Sequence, residues 1–253
     1  MLRLHNVSVR LGGRSILQDV SFTLRPHRLT ALVGRNGSGK STLLACVNQQ
    51  VPYTGEILEG EKNLALLSPK ERAKTVAILP QQLPAPHITA QQMVAFGRNP
   101  YLDLTGRLRL RDHQAVQAAM DAAQVQPLAQ RYVDSLSGGE RQRVALAMVL
   151  AQNTPIALLD EPTAHMDPAY EAAFLQQLCD LNASRKKTFL VVLHDLSAAI
   201  RYADDLLVLQ DGALVFHGSK EDCLQQKILE TTFGLRRYCA DDEGTQRIFF
   251  AAE

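Results

Sequence analysis

Gly34-Arg35-Asn36-Gly37-Ser38-Gly39-Lys40-Ser41 is the stretch from which the fold can be read. It has the form Gly-x4-Gly-Lys-Ser of a phosphate-binding P-loop. The residue types follow from the task. Glycines let the backbone curl until successive N–H groups converge on phosphate oxygens. A helix that follows turns the positive end of its dipole toward the same anion. A lysine at position 40 reaches the outer phosphates, and a hydroxyl at position 41 ligates Mg²⁺. The flanks supply the required context. Leu29-Thr30-Ala31-Leu32-Val33 is a short apolar run without alternation, as a strand buried on both faces should be, and residues 42–49 have a helical pattern. This much implies a nucleotide-binding fold but no particular function, because kinases, GTPases and motors share the loop.

Working outward, residues 2–9 and 20–24 alternate with a period of two and are predicted as strands of an antiparallel sheet. Residues 55–59 and 75–79 read as further strands. Between 89 and 152 the pattern becomes helical, with helices predicted at 91–96, 111–123 and 140–150. Buried-strand runs then return at 156–160, 188–193 and 206–209, with helices at 169–181 and 196–202 between them. Strands alternating with helices imply right-handed crossovers and a parallel sheet. From Asp211 onward the chain suggests a hairpin turned by Gly212 and Gly218, a short helix over 221–229 and a last strand over 246–250.

Composition narrows the class. The chain has 253 residues, 46% hydrophobic and 21% charged, with a formal net charge of +1. That is ordinary globular composition, and it provides no overall field to steer the protein toward nucleic acid or an acidic membrane. Tryptophan is absent and aromatics are sparse, so a base-stacking platform is disfavoured and no nucleic-acid partner is expected. Cys46, Cys179, Cys223 and Cys239 form no CxxC pair, which points away from structural zinc and toward reduced thiols. The longest wholly apolar run, residues 144–151, is too short for a bilayer that needs about 20 residues. Any membrane role is expected to come through a partner.

Two further stretches decide the class. Leu136-Ser137-Gly138-Gly139-Glu140-Arg141-Gln142-Arg143 places a serine and two glycines at a helix start, which is a second anion site. Ile156-Ala157-Leu158-Leu159-Asp160-Glu161-Pro162 is a buried strand ending in two carboxylates. Together with the P-loop, in this order and spacing, the chain resembles the ABC ATPase family over essentially its whole length. The commonest signature in that family is LSGGQ, and Glu140 stands here where glutamine is commonest. The resemblance implies an α/β fold: a P-loop NTPase (RecA-like) core with a mainly parallel sheet, an N-terminal antiparallel β subdomain and an inserted α-helical subdomain. The expected division is 1–88 and 153–253 for the core with its β subdomain, and 89–152 for the helical subdomain carrying the signature.

The resemblance also implies roles. ATP and Mg²⁺ are the expected cofactors. Gly34, Asn36, Gly37, Ser38, Gly39, Lys40, Ser41 and Thr42 would hold the phosphates. Ser41 and Asp160 would support the metal, and Glu161 would act as general base on the attacking water. Gln81, with Gln82 as its rival, matches the glutamine that contacts metal or water. His194 matches the histidine that contacts the γ-phosphate. Asp167, in Thr163-Ala164-His165-Met166-Asp167, would communicate across a dimer. The family usually places an aromatic near the first hairpin to stack on adenine; Leu11 stands there, which leaves ATP over GTP open. In this family Ser137, Gly138 and Gly139 of one protomer close on the γ-phosphate held by Lys40 of another, so a second copy is an expected partner.

Two transmembrane permease subunits are expected as well, with an extracytoplasmic substrate-binding protein indirectly, and a location at the cytoplasmic face of the inner membrane. Gly97-Arg98-Asn99-Pro100-Tyr101 resembles a segment of importers for ferric siderophores, vitamin B12 and haem. The alternative is a soluble ABC ATPase of a cytosolic assembly complex, such as one for iron–sulfur clusters.

Overall fold

A computed structural model describes residues 1–103, 105–164, 166–242 and 245–252. In chain order the elements are β1 (Leu2–Leu11), β2 (Arg14–Thr23), β3 (Leu29–Gly34), α1 (Lys40–Val47), β4 (Thr54–Glu59), β5 (Lys62–Asn63), α2 (Pro69–Arg72), β6 (Val76–Leu79), α3 (Ala90–Ala95), α4 (Leu110–Ala122), α5 (Gly138–Ala151), β7 (Ile156–Leu159), α6 (Pro168–Arg185), β8 (Thr188–Val192), α7 (Leu196–Tyr202), β9 (Asp205–Gln210), β10 (Ala213–Ser219), α8 (Lys220–Gln225), α9 (Ile228–Phe233), β11 (Arg236–Asp242) and β12 (Thr245–Ala251). Short 3₁₀ turns join some of them. Among the described residues no helix is long and apolar enough to cross a membrane.

The non-alternating apolar runs form the centre of a six-stranded sheet ordered β10-β9-β3-β8-β7-β6. Every residue of β3, β7 and β8 is buried. β9, β3, β8, β7 and β6 run parallel, and β10 closes one edge antiparallel to β9. Their side chains divide by alternation between two cores. Ala31, Val33, Ala157, Leu159, Phe189 and Val191 face the core shared with α3, α4, α5 and α6. Leu32, Ile156, Leu158, Leu190 and Val192 face the core shared with α1 and the N-terminal sheet. A strand with apolar neighbours on both faces has no polar face to show, which is why its sequence does not alternate.

The N-terminal sheet is antiparallel, in the order β2-β1-β4-β5. Its second strand begins at Arg14, six residues before the start that alternation predicted. The reason is a bulge. Val7 pairs with Val20 and Val9 with Leu17, so two steps on β1 oppose three on β2. Asp19 lies in the left-handed region at φ 48°, and Leu17 and Val20 both point inward. One extra residue breaks the period-two pattern without ending the strand.

Helices α3, α4 and α5 lie within a residue or two of the predicted spans and pack on one another. Thr89 and Ser137 start α3 and α5 with reciprocal capping boxes to Gln92 and Glu140. The stretch Gly97–Tyr101 fastens this helical unit to the end of α5. A Cβ on Gly97 would lie 2.2 Å from the Met148 carbonyl oxygen, so only glycine permits that approach. Arg98, 6% exposed, donates to Asp112 of α4, 1% exposed, and to the Ala151 carbonyl at the end of α5 (2.7 Å). Burial opposes ionisation of Asp112, yet the Arg109 N–H and the Arg98 guanidinium outweigh it and hold the carboxyl below its usual range. The Tyr101 ring covers the Arg98 guanidinium at 3.9 Å, and its hydroxyl donates to the Gln152 carbonyl. The Gln152 amide in turn donates to Ala73 and Val76, which carries the tie into the strand β6.

At the C-terminal end the hairpin β9–β10 turns at Asp211-Gly212, and Gly218 lies within β10 rather than at a turn. The helix predicted over 221–229 is two helices, because Lys227 adopts φ 53° and interrupts the α conformation. The last strand pairs with β11, which the pattern did not predict.

Arg98→Ala should cost about 3–5 kcal/mol, because it strands the buried Asp112 carboxylate and frees the Ala151 carbonyl. Urea unfolding monitored by circular dichroism would measure this. Replacing both partners by apolar residues of similar size, Arg98→Met with Asp112→Leu, should recover most of the loss.

Candidate functional site

The groups that converge do so because parallel strands end side by side. β3 runs into the loop 34–39, β6 into Gln81, β7 into Asp160 and Glu161, and β8 into His194. In an open α/β sheet the crevice beyond the carboxyl ends of the strands is where ligands bind.

The loop is held from above and below. Gly39 has φ 102°, and a Cβ there would meet Leu17 Cδ2 at 2.6 Å and the Ile16 carbonyl oxygen at 3.0 Å. β2 therefore presses directly on the loop, and only glycine fits between it and α1. Lys40 is 5% exposed, and its ammonium donates to the carbonyls of Gly34 (2.8 Å) and Arg35 (3.2 Å). Burial lowers its pKa, and the carboxylates of Glu161 and Asp160 act against that shift. Ser38, within the loop, has its hydroxyl buried and without a partner.

Ser41, at the start of α1, places its hydroxyl 3.3 Å from Asp160 Oδ1. Burial raises the pKa of Asp160; the Ser41 hydroxyl bond lowers it, and the Glu161 charge raises it further. Glu161 follows with φ 48°, a backbone conformation that a non-glycine residue holds only when its surroundings fix it. They do so through the side chain. Gln81 Nε2 donates to Glu161 Oε2 at 2.6 Å, and His194 Nε2 lies 2.5 Å from Oε1. Each carboxylate oxygen is engaged once, which fixes the orientation of the group and leaves a lone pair on each oxygen for a further donor.

Asn36, Gly37, Gly39, Lys40, Ser41, Thr42, Gln81, Glu161 and His194 line one cleft of about 500 Å³, within the range of small-ligand sites. Gln81, and not its neighbour Gln82, faces that cleft. Leu11 does not line it; it is 42% exposed at the end of β1, and Ile16 of β2 lines the cleft instead. Alternation could not reveal Ile16, since the bulge hides the strand that carries it.

The donors present fit a magnesium ion. A hydroxyl and a carboxylate converge at Ser41 and Asp160, and Gln81 keeps its amide oxygen available while its NH₂ binds Glu161. These are hard oxygen ligands. Burial and the Glu161 charge both disfavour the ionised Asp160, which a cation would relieve.

The Ser-Gly-Gly stretch lies outside that cleft. Ser137 caps α5: its Oγ accepts from the Glu140 N–H (3.3 Å), and Glu140 Oε2 accepts from the Ser137 N–H (2.8 Å). Arg131 fixes the other oxygen of Glu140 at 2.8 Å. Those bonds to Ser137, with Arg131 behind them, hold Glu140 below the usual carboxylate range. Glutamate thus completes the cap where glutamine is the commoner residue. Gly138 has no neighbouring atom in the way, and Gly139 faces the Tyr170 ring. None of Ser137, Gly138 and Gly139 lines the cleft that holds Lys40. Asp167 caps α6, accepting from the N–H groups of Ala169 (3.1 Å) and Tyr170 (3.0 Å). His165 lies outside the described residues.

Comparison with known proteins identifies the family. Residues 17–164 match the family described as ABC transporter. The chain is 38% identical over 244 residues to the ferric enterobactin transport ATP-binding protein FepC of Escherichia coli (strain K12), covering 95% of this chain and 90% of that protein. It is 42% identical over 242 residues to the hemin import ATP-binding protein HmuV of Pseudomonas aeruginosa, covering 93% of each. Among solved structures it resembles an ABC transporter described as metal-chelate type, in an inward-facing conformation, with a TM-score of 0.86, 25% identity, and coverage of 99% of this chain and 96% of that one. A P-loop, a Ser-Gly-Gly helix cap and a strand ending in Asp160-Glu161, matched by relatives along nearly the whole sequence, place the chain in the ABC transporter family.

Proposed function

We propose that this chain binds and hydrolyses ATP to power an importer of metal chelates, with ferric siderophores and haem as the leading cargo classes. The observation that carries the chemistry is Glu161 held between Gln81 and His194, beside Lys40, Ser41 and Asp160. The loop N–H groups and Lys40 take the phosphates. Ser41 and Asp160 would hold a magnesium ion, which would supply positive charge against the phosphates. His194 and Gln81 position the γ-phosphate and a water. Glu161 takes a proton from that water as its oxygen attacks the γ-phosphorus. The bond to the bridging oxygen breaks, leaving ADP and phosphate, and the proton on Glu161 returns to solvent.

Ser137–Gly139 do not line the cleft that holds their own Lys40, and in this reading they bind the γ-phosphate of another copy. A second copy supplies the missing half. In this reading ATP closes the dimer and loss of the γ-phosphate opens it. Residues 89–152 then act as a helical subdomain moving against a core of 1–88 and 153–253. Two permease subunits dock a short helix each near Gln81 and the helical subdomain, holding the chain at the cytoplasmic face of the membrane. A substrate-binding protein on the far side delivers the cargo. The metal-chelate assignment is supported by the Gly97–Tyr101 segment and by the similarity to FepC and HmuV, proteins of ferric enterobactin transport and hemin import.

Glu161→Gln should retain ATP binding and lose at least about a hundredfold in turnover, the usual scale for a general base. Near-normal phosphate release would remove Glu161 from that role. In the Glu161→Gln background, Ser137→Arg should leave the monomer binding ATP but unable to dimerise; ultracentrifugation with and without ATP decides this, and a persisting ATP-dependent dimer contradicts the trans arrangement. Affinity purification of the tagged chain from solubilised membranes should bring down a polytopic protein at equal stoichiometry. Recovery of soluble partners alone would move the function to a cytosolic assembly complex.

A further inference from the structure

The link between β6 and α3 contains Pro80, Pro84 and Pro86, each with φ fixed by its ring. Such a segment transmits a displacement better than it absorbs one. Gln81 at its start holds Glu161. His87 at its end stacks on Tyr132, ring centroids 4.2 Å apart and planes 3° from parallel. His87 Nδ1 also lies 2.8 Å from Asp134 Oδ2. The backbone pairing begins immediately after: the Val133 N–H donates to the Ile88 carbonyl, and the Ala90 N–H to the Arg131 carbonyl. From there Arg131 grips Glu140, and Glu140 closes the cap on Ser137.

We propose that His87 is a positioning residue that latches the Gln81 segment to the Tyr132–Asp134 segment, so that a shift of Gln81 at one ATP reorients Ser137 toward the other. This rests on the roles of Gln81 and Ser137 given above. His87 extends the tie from the backbone pairing of Ile88 with Val133 back into the proline-rich part of the link; without it the coupling of residues 81–87 to 132–134 passes through that pairing alone. Its side chain is 74% exposed, so stability alone does not require the contact. The stack and the contact with Asp134 fix both its plane and its edge, and together they transmit rotation as well as translation.

Steady-state hydrolysis by the full chain tests this, with thermal melting alongside. His87→Ala should lower kcat about tenfold, leave KM for ATP within about twofold, and shift the melting temperature by less than about 2 °C. His87→Phe keeps the stack and should recover part of the lost kcat. His87→Ala with Asp134→Ala should be no worse than His87→Ala alone, since both changes remove one coupling. A kcat within about twofold of wild type for His87→Ala, a loss that tracks a fall in melting temperature, or fully additive losses would overturn the latch. Gln81→Ala and Ser137→Arg separate the two levels. If both abolish turnover while His87→Ala does not, only the latch fails; if either keeps full turnover, the roles beneath it fail as well.

Discussion

The parallel register of β3, β8, β7 and β6 is the constraint from which the rest follows. Neighbouring strands lie about 4.8 Å apart, so residues just past their ends are neighbours whatever their separation along the chain. Gln81, Glu161 and His194 are 80 and 33 residues from one another in sequence order, yet their side chains are bonded, because β6, β7 and β8 are adjacent in the sheet. The P-loop joins them because β3 is the next strand along. Burial of both faces keeps the register, since slipping any strand by one residue would exchange the two cores.

Electrostatics then make the cleft receptive. Lys40, Asp160, Glu161 and His194 are brought together where water is partly excluded. Burial pushes the Lys40 ammonium down and the Asp160 carboxyl up, so neither charge is comfortable with the partners it has. A polyphosphate and a divalent cation are the complements this cluster lacks. Lys40 meanwhile rests on backbone carbonyls and Ser41 on Asp160, contacts that keep the loop formed. Glu161 keeps its left-handed backbone by clamping its side chain on both sides.

The helical unit shows a division of labour. The Arg98–Asp112 pair and the Tyr101–Gln152 bond lock the far end of α5 to α4 and, through Gln152, to the region of β6. The near end of α5, with Ser137, is held by exposed polar contacts through Arg131 and Glu140. From Gln142 onward α5 is buried against α3 and α4, so only its first turn, which carries the signature, rests on exposed contacts. Gly97–Tyr101, which the sequence suggested as a mark of transporter type, is in structural terms the lock.

Much of the site was legible in the sequence because its chemistry is local. A Gly-x4-Gly-Lys-Ser loop, a Ser-Gly-Gly cap and an apolar strand ending in Asp-Glu each need particular residue types at fixed spacing, and each was found where it was read. The choice of Gln81 over Gln82 as the residue facing the cleft was not legible, because adjacent residues past a strand differ only in direction. Ile16 was hidden by the bulge at Asp19, which broke the alternation that would have shown β2 reaching the P-loop. The break at Lys227 and the pairing of β11 were hidden for a related reason: a single left-handed residue and a polar edge strand leave no periodic trace. The sequence by itself determined the family and which residues are candidates for phosphate, metal and water, since those demands fall on residue type and short spacing. Only the tertiary structure decided which of them meet within one chain and which, like Ser137, lie outside the cleft, because that depends on strand order and helix placement, which no local pattern encodes.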